Sequence, residues 1–578
     1  MSSTSVLTEE RPPEVPPRPT RARLVGWLPA MPTLLLWALC SLAPVAVLVA
    51  YSFGQTDLVT YRLVLGWTLA NYQSLAESFY LAPILRSVGL AAGTTVLCAL
   101  VAFPVAYFVS RTRGRLRVVL LACVVIPYLT SFVVRAYAWL DLLSSAGPIS
   151  DVLNSLGITR NGLTIAYSPT AIAIVLVYAY LPLMVLPMFV ALDRLDLSLH
   201  TAASDLGANG RRTLRRVTIP LAKPGIYAGC LLVFIPALGE YTVPAIVGGG
   251  RTLMFGNIIA DQFQGTGDYS LGAALSTSLT AIVLLCVVLL RGRTQNVTFQ
   301  GGLVRGGRGG AVRRSPFLAA WTALVIAFLF LPILTVFANA FNRDDTLAGW
   351  GGFTFQWFGS ALTDQAAVGA AVTSLQVALL CVVITLAITV PAALWARSAS
   401  RRGQALLDVS TYMRIALPEV VFAVGLFILF RRLDLPLGLM GIVLGHVVLA
   451  SAFAFVIVQT RLATMDTTLE QAGSDLGATP ARVFRRVTLP LITPAVVGAG
   501  VLTFFVSADN VLTSLFMGAG NVVTLPVYIM SQVKFSVSPA TNAIALLFVL
   551  AVMLVIAAGG VVVAAGRVRR RSKDVDAL

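Results

Sequence analysis

The chain has 578 residues, of which 57% are hydrophobic and only 12% charged, and its mean hydropathy is +0.85. A soluble protein of this length cannot solvate itself with so few charges, whereas a polytopic membrane protein needs them only in its loops. The net charge of +17 does not point to nucleic acid, because the basic residues are dispersed among short loops beside apolar runs instead of forming one patch.

Residues 1–27 are rich in proline and charge, with Arg18, Arg21 and Arg23 ahead of the first apolar run, and read as a disordered cytoplasmic tail. The run from Trp27 to about Phe53 is too long for the apolar core of a cleaved signal and long enough to span as a helix. Further spans are predicted at 84–109, 118–143, 169–191, 222–240 and 271–290, which makes residues 28–290 a six-helix half. Residues 291–315, with Gly301, Gly302 and a GGRGG run, read as a flexible cytoplasmic linker. Six more spans follow at 316–340, 370–396, 406–430, 437–459, 492–508 and 541–565, giving a second half over 316–566 and a basic cytoplasmic tail at 567–578. Pro104, Pro182, Pro187 and Pro391 fall inside spans and predict kinks, not ends. With the N-terminus inside, the cytoplasmic loops and tails hold 32 of the 42 lysines and arginines, which satisfies the positive-inside rule; Arg431 with Arg432 is the local exception.

One loop occurs twice. Residues 199–226 read LHTAASDLGANGRRTLRRVTIPLAKPGI and residues 469–496 read LEQAGSDLGATPARVFRRVTLPLITPAV, identical at 15 of 28 positions at an offset of 270. Two equivalent loops imply two equivalent halves. Around Gly207 and Gly477, each within an SDLGA string, a short helix is predicted to end and turn through the glycine, which tolerates positive φ. A second short helix then starts with Asn209 or Thr479 as N-cap and runs to about residue 216 or 486, with Pro220 and Pro490 stopping it. Leu214 and Val217 (Phe484 and Val487) share its apolar face, and Arg212, Arg215 and Arg216 (Arg482, Arg485 and Arg486) project elsewhere, a pattern suited to a groove on a soluble partner.

Cys40, Cys98, Cys123, Cys230, Cys286 and Cys381 all lie in predicted spans without CxxC or Cys/His ligand spacing and read as packing residues. His446, within a span, reads as a satisfied interior histidine. No GxxxxGK(S/T) string occurs, so the chain has no phosphate-cradling loop of its own.

The repeated strings resemble the EAA loop of ABC-importer permeases: EAA, three residues, glycine, then I-x-L-P further on. Thr201, Ala202 and Ala203 stand at the triplet in the first copy and Gln471, Ala472 and Gly473 in the second, so the usual acidic residue is missing from both triplets. Beyond the loops, the first half resembles one spermidine/putrescine permease subunit through Arg135–Leu143, Tyr180–Met188 and Pro236–Gly249. The second half resembles its partner subunit through Gly352–Phe358, Thr524–Ser531 and Ser538–Ala545, so two usually separate subunits look fused. Where the partner subunit's pattern has an acidic pair, this chain has Asp509 followed by Asn510.

The resemblance implies an all-α polytopic membrane protein with the type I ABC importer permease fold, about twelve transmembrane helices in two six-helix halves about a pseudo-twofold axis. It implies a permease of a bacterial inner membrane with both termini cytoplasmic, and no enzymatic activity of its own. Its partners would be two cytoplasmic ABC ATPase subunits, which carry the ATP and Mg, and an extracytoplasmic solute-binding protein. No cofactor would be held by this chain. The ATPase-coupling residues implied are Ala202, Ala203, Asp205, Gly207, Arg212, Arg215, Arg216 and Pro220, with Ala472, Gly473, Asp475, Gly477, Arg482, Arg485, Arg486 and Pro490. The implied solute is a small cationic polyamine such as putrescine or spermidine, with ferric iron or another small solute as the alternative.

Charges in or at the ends of spans are expensive there and usually face an aqueous interior. Glu240 and Tyr241 at the end of the fifth span, Asp509 and Asn510 at the equivalent place in the second half, and Glu419 after Pro418 are therefore the pathway candidates. Glu419 also has Arg414 nearby as a packing partner. A secondary transporter of the major facilitator type also has parallel six-helix halves. Its loop between spans two and three carries an acidic motif, whereas here that loop is SRTRGRLR, and the repeated string lies between spans four and five.

Overall fold

In lipid, an apolar backbone segment satisfies its polar groups internally only as a helix or a closed barrel, and the computed structural model of this chain is built from helices. It describes residues 30–57, 62–64, 66–145, 147–158, 165–196, 198–294, 315–345, 349–535, 538–555 and 557. The 1–27 and 567–578 tails, most of the 291–315 linker and the end of the last expected span lie outside the described residues.

Among the described residues, nine helices are long and apolar enough to cross a membrane: Met31–Ser52, Ser78–Arg111, Pro169–Asp193, Gly210–Leu238, Tyr269–Leu289, Pro316–Ala340, Gln365–Ser398, Leu439–Ala463 and Pro480–Ala508. Two further spans are broken pairs, Gly114–Tyr128 with Phe132–Leu142 and Arg401–Ala416 with Glu419–Arg432, bent by 87° and 105°. The twelfth expected place is taken by the apolar helix Pro539–Val555. Besides helices, the described residues hold one short antiparallel strand pair, Gln55–Asp57 with Arg62–Val64.

Two expectations are corrected. The spans predicted as continuous over 118–143 and 406–430 are each two half-helices. In the second, Pro418 disfavours helical backbone at Leu417, which is extended (φ −72°, ψ 128°). In the first, a 3-10 turn through Pro127 gives way to extended backbone at Thr130. The short helices predicted over 209–216 and 479–486 are not stopped by Pro220 and Pro490. Each runs on into the following span through a π-helical turn, Leu214–Thr218 or Phe484–Thr488. A proline inside an α-helix collides with the carbonyl four residues back; the wider π turn ahead of it supplies the local adjustment, and the proline enters the next α segment at its tolerated first turn.

The halves match helix for helix. Ser78–Arg111 and Gln365–Ser398 have 34 residues each, Pro169–Asp193 and Leu439–Ala463 have 25, and Gly210–Leu238 and Pro480–Ala508 have 29. The first half has an extra segment after Leu142, carrying the short helix Pro148–Ser155, where the second passes from Arg432 to Leu439 directly.

The halves also interpenetrate. Met31–Ser52 packs on Glu419–Arg432 of the second half, and Pro316–Ala340 packs on Ser78–Arg111 and Phe132–Leu142 of the first. Trp37 Nε1 donates to Ser451 Oγ at 2.7 Å, and Asn339 Nδ2 donates to Asp141 Oδ2 at 2.8 Å. Gly425 lets Pro44 and Leu48 approach so closely that a Cβ there would lie 2.9 Å from Pro44 Cβ. One buried apolar cluster accordingly runs from Leu48 and Ala91 to Val420, Leu512 and Ala543.

Candidate functional site

The repeated loops fold alike. Each begins with an aspartate, Asp196 or Asp466, whose carboxylate accepts the backbone N–H of Ser198 or Thr468 at 2.9 Å. That bond holds both carboxyls below the usual range. The helices Ser198–Asp205 and Thr468–Asp475 follow, neither with a buried residue, and carry Ala202, Ala203 and Asp205 or Ala472, Gly473 and Asp475. Both end in the same glycine turn. Gly207 (φ +74°) and Gly477 (φ +75°) donate to the carbonyls of Ser204 and Ser474 at 2.9 Å, and the next residue reaches back to Ala203 or Gly473. Asn209 caps the following helix, its Oδ1 accepting Arg212 N–H at 2.9 Å, whereas Thr479 makes no side-chain cap. Arg212, Arg215, Arg216 and Arg482, Arg485, Arg486 are all exposed, as are Leu206 and Leu476 at 88% each. Over 201–218 and 471–488 the pattern of exposed and buried residues is the same. The two loops therefore present closely similar surfaces, each with a short exposed helix, a projecting leucine and three matched arginines, to which Arg211 adds a fourth in the first loop where Ala481 stands in the second.

Position 200/470 also differs, beneath that surface. Glu470, one residue ahead of the triplet, accepts from Thr488 Oγ1 at 2.6 Å and pairs with Arg397 at 3.2 Å. Burial alone would raise its carboxyl, but these two partners prevail and hold it below the usual range. Its counterpart is His200, whose Nε2 lies 2.9 Å from Thr218 Oγ1. Burial, with Arg111 beside it, pushes that imidazole below its ordinary value. Arg111 lies over the Tyr107 ring at 5.3 Å, and its Nε and Nη2 have no hydrogen-bond partner among the described residues. The acidic residue missing from both triplets thus has a neighbouring substitute in the second loop only.

Between the halves, the helix breaks converge. Glu240 and Asn510, equivalent at the 270 offset, each follow a long helix and cap the short one after it. Glu240 Oε1 accepts the N–H groups of Thr242 and Val243 at 2.8 and 3.2 Å, and Asn510 Oδ1 accepts that of Thr513 at 3.0 Å. The other Glu240 oxygen takes the Tyr180 hydroxyl. Asp509 reaches across the interface, its Oδ1 accepting Phe132 N–H at 2.7 Å, so it sits on the N-terminus of the first half's broken helix. Asn510 Nδ2 donates to Glu419 Oε1 at 2.7 Å, and Glu419 interacts electrostatically with Glu240, Arg414 and Asp509. Four of the five pathway candidates are thereby brought together, and Tyr241 turns instead into a separate cavity.

Two guanidiniums complete this centre. Arg135, 3% exposed, lies 5.5–5.9 Å from the rings of Tyr128, Phe132 and Tyr178. Arg414 lies 3.7 Å over the Phe422 ring and makes no ion pair with Glu419 among the described residues, against the pairing expected from their spacing. Arginine on aromatic faces leaves the carboxylates free for other partners. Glu240 and Asn510 are buried, Asp509 is half-buried and Glu419 is exposed. Three carboxylates against two guanidiniums make this a place where a cation is favoured over an anion.

Sequence reasoning did not single out Tyr180, Tyr128 or the Phe132 N-terminus for this centre. Pro127 and Pro418 are the local signals that foretell the helix breaks; nothing local foretells that Asp509 meets a backbone N–H 377 positions away. His446 is an interior histidine, with Nδ1 2.8 Å from Ser507 Oγ and Nε2 3.1 Å from Ser514 Oγ.

A family model described as "Binding-protein-dependent transport system inner membrane component" matches this chain twice, over residues 94–296 and 388–570. The spermidine/putrescine transport system permease protein PotB of Escherichia coli (strain K12) is 34% identical over 266 residues, covering 46% of this chain and 93% of that protein. The putrescine transport system permease protein PotI of the same organism is 32% identical over 252 residues, covering 42% of this chain and 89% of that protein. A solved bacterial ABC transporter involved in the import of alginate superposes with a TM-score of 0.41 at 14% identity, over 48% of this chain and 97% of its own.

Proposed function

The chain belongs to the family of binding-protein-dependent transport system inner membrane components, and from that premise we propose that it forms both halves of the pathway of an ATP-driven importer for a small linear polyamine of the putrescine or spermidine kind. The observation that carries the reading is the interface centre, where Glu240, Asp509 and the exposed Glu419 gather with only two guanidiniums to offset them. A di- or tri-cationic amine is the solute that such a lining favours, and the names of PotB and PotI agree with it.

In this reading both termini are cytoplasmic, ATP and Mg reside on two separate ATPase subunits, and the chain itself hydrolyses nothing. The exposed loops around Gly207 and Gly477 dock on those subunits through their arginines and projecting leucines. A solute-binding protein delivers the amine on the opposite face. ATPase closure moves both loops, each continuous with a spanning helix of 29 residues, and the halves rock about the centre. Asp509 on the Phe132 half-helix is a cross-half contact that such rocking must break.

The test is competition against labelled putrescine in vesicles holding the permease with its ATPase and binding protein. Uptake should be displaced by spermidine and not by sugars, peptides or ferric iron. The double variant Glu240→Gln, Asp509→Asn should lower uptake at least about tenfold, the loss of one charged hydrogen bond in the pathway, with membrane abundance and ATPase copurification as in the parent. Parental uptake by the double variant sinks the acidic lining, and a response to ferric iron with none to amines replaces the solute.

A further inference from the structure

A cavity of about 770 Å³, lined by first-half residues and by Val533 of the second half, includes none of Glu240, Glu419, Asp509 and Asn510 in its lining. It lies on the face opposite the repeated loops. Phe79, at the start of Ser78–Arg111, lines it, while Arg111 at the other end of that helix stands beside His200, and 34 residues at 1.5 Å each separate the two ends by about 50 Å. Its wall is the helix Phe255–Asp261, held directly on the helix break: a Cβ at Gly256 would lie 2.6 Å from the Glu240 carbonyl oxygen.

The chemistry of this cavity is lopsided in a way the fold does not require. Tyr241 is 7% exposed and lines the space, and its hydroxyl has no hydrogen-bond partner among the described residues. It interacts electrostatically with Asp261, which lines the same space, is exposed and has no ion pair there. Asp261 also faces Tyr80, as do Glu77 and Asp268. The residues equivalent to Tyr241 and Asp261 at the 270 offset are Val511 and Ser531. The second half builds the same helices without either group, so neither is needed to make the fold. Of the cations nearby, Arg86 is engaged with the Leu253 carbonyl at 3.0 Å, and Arg251 is exposed at the cavity's edge.

We infer that this cavity is a receiving site for the solute, taking one ammonium end of a linear aliphatic amine on Asp261 and the Tyr241 hydroxyl before the solute reaches Glu240, the residue that precedes Tyr241 in the chain. The inference rests on the amine reading above. The Tyr241 hydroxyl and the Asp261 carboxylate, both without a partner among the described residues, offer an ammonium one hydrogen-bond acceptor and one charge-assisted acceptor. Tyr167, Phe79 and Ile246 supply apolar surface for the chain of the amine.

The test is putrescine uptake in vesicles holding the permease with its ATPase and binding protein, read as half-saturating concentration and maximal rate. Asp261→Asn should raise the half-saturating concentration about tenfold, as for loss of a charged hydrogen bond, and should flatten its dependence on salt. Asp261→Glu should restore both, and Arg251→Gln should shift the half-saturating concentration the opposite way. A purely structural role predicts neither the opposite signs nor the change in salt dependence. Parental values for Asp261→Asn, or shifts of the same sign for Asp261→Asn and Arg251→Gln, overturn the receiving site while leaving the importer reading intact. If the parental protein transports no amine at all, the solute class fails and the receiving site fails with it.

Discussion

Replacing Gly207 and Gly477 together by valine isolates what the glycine turns contribute to docking. Both lie in the left-handed region, at +74° and +75°, and a Cβ on either meets nothing within 4 Å. The cost therefore arises from the backbone, not from collision, and amounts to about 1–2 kcal/mol for each residue. The helices ahead of the turns have eight residues each and bury none of them, so no packing holds the turn against that cost. Two turns then lose about 2–4 kcal/mol, which corresponds to about thirtyfold to sevenhundredfold weaker binding of the ATPase pair when docking requires both turns. The assay is copurification of the ATPase with tagged permease over a range of ATPase concentrations, with uptake and membrane abundance measured alongside. Asparagine at the same positions tolerates positive φ and should keep most of the binding. Parental binding by the valine pair refutes the reasoning. Equal loss with asparagine and valine also refutes it, because that result assigns the effect to side-chain bulk at the surface.

Three further outcomes are expected. His200 is held below its ordinary value by burial and Arg111, so the unfolded chain takes the proton more readily; the stability it contributes is full above about pH 6.5 and is lost as pH falls. Melting between about pH 5 and 7 should therefore lose part of its pH dependence in His200→Gln. Glu470, also held low, contributes above about pH 4.3 and loses its contribution only below that. Glu470→Gln should lower the melting temperature evenly between about pH 6 and 8 and leave it unchanged at strongly acid pH, and a pH-independent offset would contradict the pairing with Arg397 and Thr488. Gly425→Val should destabilise by about 1–3 kcal/mol through the 2.9 Å approach to Pro44 Cβ, whereas Gly498→Val, with nothing within 4 Å, escapes that clash. Thermal melts of the two valine variants in detergent separate them, and equal melting temperatures would argue against the crossed packing of the first helix.

What the sequence determined by itself is everything carried by local pattern. Apolar runs long enough to span, 32 of 42 lysines and arginines in one set of loops and tails, and two matching loops 270 residues apart define a two-half permease without reference to any contact. The glycine turns follow in the same way, because the residue at 207 or 477 must adopt positive φ whatever surrounds it. The continuation of the loop helices through Pro220 and Pro490 was not legible, since a proline reads as a stop unless a π turn precedes it, and the turn has no composition of its own. Tertiary structure alone decided the rest. That Met31–Ser52 packs on Glu419–Arg432 of the second half as well as on Tyr269–Thr294 of its own, and Pro316–Ala340 on the first half, follows from surfaces such as the Gly425 contact with Pro44, which involve residues hundreds of positions apart. Glu240, Asp509 and Glu419 were visible as costly charges in apolar surroundings, but their meeting depends on two helix breaks facing each other across the interface. Likewise Tyr241, adjacent in sequence to Glu240, lines a cavity that Glu240 does not, because neighbouring side chains point to different sides and only the packing of distant helices decides what each side meets.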